Sequence, residues 1–153
     1  MGRRFRFGLQ AALDVRTRQE DAARVRLATA ERVLQEALEA LMALHTRRAE
    51  TLQQTQSDDP NLRLNAAWYL ENLNHQLVGA NALVERQANE VEARRQELVA
   101  AAMDREALHR LRGRREVEHS RELRKSEERE LGEAGIRATA GHLGWTVGLE
   151  DRR

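Results

Sequence analysis

Two Glu-x-x-His pairs are the residues of this sequence best suited to metal chemistry. Glu106 precedes His109 by three residues, and Glu116 precedes His119 by the same interval. This spacing supplies ligands in di-iron helix bundles, where the pairs lie on different helices that converge. Here both pairs fall on one predicted helix, about 15 Å apart along its axis. We therefore interpret them as part of a solvated charged face, and we expect no metal or other cofactor.

Other catalytic signatures are missing from the sequence. It contains no cysteine, which excludes a nucleophilic thiol, a disulfide framework and a thiolate metal site. Neither a Gly-x-Ser-x-Gly elbow nor a glycine-rich phosphate loop occurs. The remaining histidines have no partner pattern: His45, His75 and His142. We therefore expect a protein that is not an enzyme, and any nucleotide in its process would be bound by a partner.

A basic stretch from Arg105 to Arg129 carries more information about partners. It holds nine Arg or Lys against six Glu, although the whole chain has a formal net charge of only +1. Such a stretch suits a solvated face, an acidic protein surface, an anionic membrane or phosphates. The interspersed Glu and the lack of aromatic residues between the arginines weaken the nucleic-acid interpretation. No nucleic-acid partner is expected.

Composition points to helices as the elements that carry these residues. One third of the 153 residues are charged, and there is a single proline, which is typical of long helices and coiled coils. No apolar run approaches the roughly 18 residues of a membrane span. The start of the chain lacks the apolar region of a signal peptide. We expect a soluble cytoplasmic protein without a membrane span.

One strong break divides the chain near Pro60, where a polar segment contains the only proline. The pattern predicts a helix over 8–53, a turn over 54–61 and a helix over 62–138. Apolar residues in the first helix step by three and four, as in Ala23, Leu27, Ala30, Leu34, Ala37, Leu41 and Leu44. The second helix follows the same rule from Ala66 to Leu108, with interruptions at Gln87, Arg94 and Arg105. Favourable i,i+4 pairs are predicted for Glu20–Arg24, Glu90–Arg94 and Glu106–Arg110.

A short polar turn between amphipathic helices predicts antiparallel neighbours in which facing residue numbers add to about 115. The predicted fold is therefore all-α, a long antiparallel two-helix coiled-coil hairpin over residues 1–140. With this register, residues 112–138 have no intramolecular partner. Glycines cluster towards the C-terminus, and Gly is a poor helix former. Residues 141–153 are therefore predicted to form a flexible tail.

Aromatic residues occur only near the predicted ends. Phe5 and Phe7 are at the N-terminus, Trp68 and Tyr69 follow the turn, and Trp145 is in the tail. Trp68 and Tyr69 either cap the seam or form a contact site, because a thin pair of helices cannot bury large aromatic side chains fully.

Two sequence blocks, one near each end of the chain, form a recognisable combination. The first is Phe5-Arg6-Phe7-x-Leu9, followed by Arg16-x3-Glu20-x-Ala22-Ala23 and Leu27-Ala28-x-Ala30. The second is Leu108-x-x-Leu111-x-x-Arg114-Arg115, followed by Glu127-x3-Leu131-Gly132-Glu133. Together they resemble the FliJ family of flagellar export proteins over about residues 5–138. Gly132 departs from the Asp that the family's C-terminal pattern has there.

The resemblance implies the coiled-coil stalk of a type III export ATPase, similar to the γ-subunit coiled coil of rotary ATPases. Its partners would be the flagellar export ATPase hexamer, the cytoplasmic domain of the membrane export gate, and export chaperones. The protein would be peripheral on the cytoplasmic side of the cell membrane at the flagellar base. The family's gate-binding pattern matches Tyr69, Leu73, Gln76 and Ala80, with Gln76 in place of a small residue. The termini would enter the ATPase ring, with candidate contacts at Phe5, Phe7, Arg110, Arg112, Arg114, Arg115 and Arg121.

Three alternatives remain open at this point. One is a related stalk from a virulence-type secretion system. Another is a basic coiled-coil scaffold that binds ribosomes, RNA or anionic membrane through Arg105–Arg129. A third is a scaffold that assembles with its own copy through the unpaired part of the second helix.

Overall fold

The chain folds as an antiparallel hairpin of two helices packed against each other. In the computed structural model, the backbone is described for residues 4–147 and the side chains for residues 4–139. Helix α1 spans Gln10–Gln54 and helix α2 spans Pro60–Val147. No strand occurs between residues 4 and 147. The predicted all-α hairpin is confirmed.

Helix α2 continues nine residues beyond the predicted end at 138. Each glycine costs a helix only about 1 kcal/mol relative to alanine, which weakens a helix without terminating it. The predicted tail 141–153 therefore overlaps α2 as far as Val147, and residues 148–153 lie outside the described residues.

The turn between the helices is closed by backbone and side-chain hydrogen bonds. At the end of α1, the amides of Gln56 and Ser57 donate to the carbonyls of Gln53 and Gln54, both at 3.2 Å. At the start of α2, Asp59 Oδ1 accepts a hydrogen bond from the Asn61 amide at 2.9 Å. Asp59 is thus an N-cap, and Pro60 occupies the first helical position, where a missing N–H has no cost.

The chain divides into two compact units. One comprises Asp14–Arg105 and contains the turn; we call it the turn unit. The other comprises Met1–Leu13 with Glu106–Arg153, described here from residue 4 to 147; we call it the termini unit.

The core of the turn unit is a narrow seam of the residues that the 3-4 spacing selects. Leu73 is fully buried. The other buried apolar residues are Ala23, Ala30, Ala37, Ala66, Leu77 and Val91. Small alanines on α1 against larger residues on α2 let the two helices approach closely. The predicted seam is confirmed over this unit.

The predicted register is wrong by about eight residues. Arg48 and Asn74 face each other across the seam, with a hydrogen bond of 3.0 Å between their side chains, and their residue numbers add to 122. Glu20 and Arg105 are also hydrogen-bonded, and their numbers add to 125. Two effects explain the difference from 115. Residues 60–65 of α2 are all exposed, so the seam on this helix starts only at Ala66. Helical side chains also lean towards their own N-terminus, which raises the sum for antiparallel contacts.

Candidate functional site

A buried carboxylate on α1 is paired across the seam of the turn unit. Glu20 is 3% exposed, and its Oε2 accepts a hydrogen bond from Nε of Arg105 on α2. Its Oε1 accepts a second one from Arg24 Nη2 at 2.5 Å. The hydrogen bond from Arg105 is the main reason why the pKa of Glu20 lies below its ordinary value, although burial opposes this shift. A buried charge without these partners would be strongly unfavourable.

Glu20 and Arg105 therefore lie at seam positions where the 3-4 spacing would otherwise place apolar residues. A buried charged pair in a helical seam favours one register, because sliding either helix by a turn would break the contact between Glu20 and Arg105. Arg94 acts differently: it pairs with Glu97 at 2.9 Å and Glu90 at 2.7 Å on its own helix. These hydrogen bonds, led by that to Glu97, raise the pKa of Arg94. The three predicted i,i+4 pairs are all present.

The N-terminal residues 4–9 form a non-helical segment in the termini unit, which we call the strap. Phe5 and Phe7 are half-buried, whereas Arg4 and Arg6, each of which directly precedes one of them, are exposed. This alternation is that of an extended chain with one face against a neighbour. The ring of Phe5 lies 5.6 Å from that of His119, tilted by 57°.

The strap corrects one sequence prediction. Residues 112–138 were expected to have no intramolecular partner, but the groove beside the strap is lined by α2 residues Leu111, Arg115, Glu118, His119 and Glu122. The α2 residues 124–139 are all exposed. The unpaired part of α2 therefore begins about one turn after His119, because six non-helical residues extend further along α2 than six helical ones would.

The predicted ring-binding residues lie together in the termini unit. Phe5, Phe7 and Arg112 line one shallow groove. Arg110 is paired with Glu106 at 3.0 Å, and Arg115 with Glu118 at 3.2 Å. The other two, Arg114 and Arg121, are exposed and pair with no described residue. Within this unit, Phe5 and Phe7 share one surface with Arg112 and Arg115, whereas Arg121 lines a separate groove of α2.

His119 is a contact residue that the sequence pattern missed. Its spacing from Glu116 suggested metal ligation, which was set aside in favour of a solvated face, yet its ring packs on Phe5. No local pattern encodes this contact, since it depends on the path of a non-helical strap. Among the described residues, no three His, Cys, Asp or Glu side chains are grouped to hold a metal ion.

The predicted gate-binding residues lie in the turn unit, but they do not share one exposed surface. Tyr69 is 44% exposed, and Gln76 is exposed, with its Nε2 donating to Asn72 Oδ1 at 3.1 Å. Ala80 is half-buried. Leu73 is completely buried, so a partner cannot contact it while the hairpin is intact. Leu73 lies at a seam position, where it packs against α1, so its match to the family's gate-binding pattern does not make it accessible to a partner.

Trp68, next to Tyr69, is more exposed than that residue, with 68% of its surface accessible. Large exposed aromatic residues are enriched at the centres of protein interfaces. We define the tip patch as Trp68, Tyr69 and Gln76. In the part of the chain that the structure describes, no helix has the length and apolar character needed to cross a membrane.

Comparisons with known proteins agree with these observations. The family model described as "Flagellar FliJ protein" matches residues 5–143. A solved structure described as a putative YscO homolog, CT670, from Chlamydia trachomatis is similar in fold, with a TM-score of 0.51 and 16% identity. The similarity covers 97% of this chain and 100% of that one. No curated protein sequence matches significantly.

Proposed function

This chain belongs to the FliJ family of type III export proteins, and from this premise we propose that it is the coiled-coil stalk of the flagellar export ATPase. In this role it binds the ATPase hexamer through the termini unit and the cytoplasmic domain of the export gate through the tip patch. It also escorts export chaperones. It is peripheral on the cytoplasmic side of the membrane at the flagellar base. FliJ proteins are non-catalytic export components, so hydrolysis is carried out by the partner.

The observation that carries the proposal is the surface of the termini unit where the strap lies beside Arg112 and Arg115 of α2. Phe5 and Phe7 are only half-buried against α2, which leaves part of each aromatic ring available to a partner. Arg112 lines the same groove. Aromatic residues and arginine are the two classes that contribute most to protein interfaces.

Charge makes this surface selective for an acidic partner. Residues 4–13 and 106–125 contain nine Arg or Lys and four Glu. A surface with this excess attracts acidic residues over distances of about 8 Å at physiological salt. Acidic side chains lining the entrance of the ATPase ring would meet it, and the attraction would weaken as salt is raised.

A binding experiment with the export ATPase tests this role. The double variant Arg112→Glu with Arg114→Glu is expected to weaken ATPase binding by about tenfold or more, and to reduce stimulation of ATP hydrolysis. The matched control, Arg63→Glu with Arg86→Glu, changes two exposed arginines of the turn unit by the same charge. Equal binding by both double variants would refute the assignment of the ring contact to the termini unit.

For the gate, we propose the tip patch in place of the four residues of the family pattern. Tyr69 and Gln76 remain from that pattern, and Trp68 is added because it is highly exposed. Leu73 is left out because it is buried, and Ala80 because it is half-buried. Truncating Trp68 or Tyr69 to alanine is expected to cost at least about 1 kcal/mol of binding if either is an anchor. The control is Val78→Ala, which truncates another exposed side chain of α2. Binding to the purified gate domain that survives both aromatic truncations would exclude the tip patch.

The alternative of a basic coiled-coil scaffold predicts different binding partners. Binding of RNA or anionic vesicles that falls steeply with salt, and is lost on substituting Arg114 and Arg115, would favour it. Ion pairing of Arg110 and Arg115 within α2 reduces the charge available for phosphates. Genomic neighbours would distinguish a flagellar stalk from a virulence-type one, because the two share their mechanics and differ in cargo.

A further inference from the structure

Helix α2 carries a second 3-4 stripe, separate from its contacts with the strap. Its members are Gly113, Val117, Ser120, Arg124, Glu127, Leu131, Ala134 and Ala138. Steps of three and four residues place them on one face of a helix. Every member is exposed. Its apolar members, Val117, Leu131, Ala134 and Ala138, have the spacing by which one helix packs against another.

The first half of this stripe forms a shallow groove. It is lined by Gly113, Glu116, Val117, Ser120, Arg121 and Arg124. At Gly113 there is no side chain, and an added Cβ would meet nothing within 4 Å. The second half presents Leu131, which is 74% exposed, between small alanines. Leu131 is thus an exposed apolar side chain that the groove of a second copy could receive.

The charges on the stripe are also self-complementary. Arg121 and Arg124 precede Glu127 and Glu128, and none of the four forms an ion pair with another described residue. In a parallel pair of identical helices, like charges would face each other. In an antiparallel pair, the arginines of each copy face the glutamates of the other.

We propose that this stripe, Gly113–Ala138 of α2, binds a second copy of the same chain in an antiparallel, twofold-symmetric dimer. Arg124 of each copy faces Glu127 of the other, next to the twofold axis. Further out, Ser120 faces Leu131 and Val117 faces Ala134. Because the contact is isologous, each residue pair occurs twice. The proposal does not depend on the role in export.

The interface is small. It involves one face of one helix over about 38 Å in each copy, which is at or below the low end of specific interfaces. The dimer is therefore weak and forms reversibly as protein concentration rises. High salt weakens it further, because dissolved ions screen the two ion pairs beside the twofold axis.

Sedimentation of the full-length chain over a range of concentrations tests the proposal. The wild type is expected to change from monomer to dimer with rising concentration. Arg124→Glu and Glu127→Arg are each expected to weaken association by about tenfold, because two attractions become two repulsions. The matched control is Arg129→Glu, which makes the same charge change as Arg124→Glu. Arg129 lies two residues before Leu131, on the side of α2 opposite the stripe, so this variant should associate like the wild type.

The decisive step is to mix the two single variants. A heterodimer of Arg124→Glu with Glu127→Arg pairs opposite charges at both central positions, whereas either variant alone pairs like charges. Association in the mixture but not in the separate solutions supports the proposal. Far-UV circular dichroism verifies that each variant keeps its helices. A wild type that stays monomeric, equal weakening by Arg129→Glu, or no recovery on mixing would each overturn the proposal.

Discussion

Burial of Leu73 predicts that this residue stabilises the hairpin and does not contact the export gate. Leu73 is completely inaccessible in the seam of the turn unit, whereas Leu64, nine residues earlier on the same helix, is 60% exposed. Leu73→Ala and Leu64→Ala make the same chemical change, to a residue with high helix propensity. Any difference between them therefore reports burial.

The size of the effect follows from that burial. Truncating a fully buried leucine to alanine costs about 2–5 kcal/mol, depending on how far the surroundings collapse. A seam between only two helices collapses readily, so we expect the lower part of this range, about 2–3 kcal/mol. For a chain of this size each kcal/mol lowers Tm by about 2–4 °C, which gives a decrease of roughly 4–12 °C. Leu64→Ala is expected to change the free energy of unfolding by less than about 0.5 kcal/mol.

Two measurements on the same variants test this reasoning. Thermal and urea unfolding, followed by far-UV circular dichroism, give the stability of each variant. Gate binding is then measured at a low temperature where all variants are folded. We expect Leu73→Ala to bind like wild type and Tyr69→Ala to bind more weakly while unfolding like wild type. If Leu73→Ala lowers Tm no more than Leu64→Ala, or loses binding while folded, the seam assignment is refuted.

Other predictions concern the ion pair and the strap. Because the pKa of Glu20 is lowered in the folded chain, its contribution to stability is complete above its ordinary pKa of about 4.3 and is lost as pH falls through the lower folded value. The Tm of the wild type should therefore fall more steeply with acidification than that of Glu20→Gln, and parallel curves would contradict this. Arg105→Leu alone should lower Tm, because it removes the cross-seam partner of the buried Glu20 carboxylate, and adding Glu20→Leu should restore much of the loss; an additive loss would count against the pairing. Phe5→Ala should speed amide hydrogen exchange in residues 4–9 while leaving the turn unit unchanged. Equal exchange rates of residues 4–9 in this variant and the wild type would exclude a packed strap.

Helix positions were predictable because each depends on local pattern. Pro60 with Asp59 beside it located the second helix, and the 3-4 spacing selected the buried residues, including Leu73 and Ala66. The same spacing identified Arg105 as a seam position before any partner was known. These features follow from helical periodicity alone.

Other features were not predictable, because they depend on distant parts of the chain. The register requires the geometry of the turn, and treating that turn as symmetric misplaced every facing pair. The contact between Phe5 and His119 requires the path of a strap with no periodic pattern. The family pattern selected Leu73 as a surface residue, since a motif specifies residue types and does not specify burial.

The contacts across the seam also determine the order in which the turn unit folds. Arg48 and Asn74 are separated by 26 residues, Glu31 and Arg95 by 64, and Glu20 and Arg105 by 85. Each doubling of the closed loop costs about 0.6 kcal/mol of chain entropy. Pairing should therefore start at the turn and proceed towards Glu20. Substitutions beside the turn should slow folding, whereas loss of the Glu20–Arg105 pair should mainly speed unfolding, because that pair closes one of the longest loops of the unit and forms late.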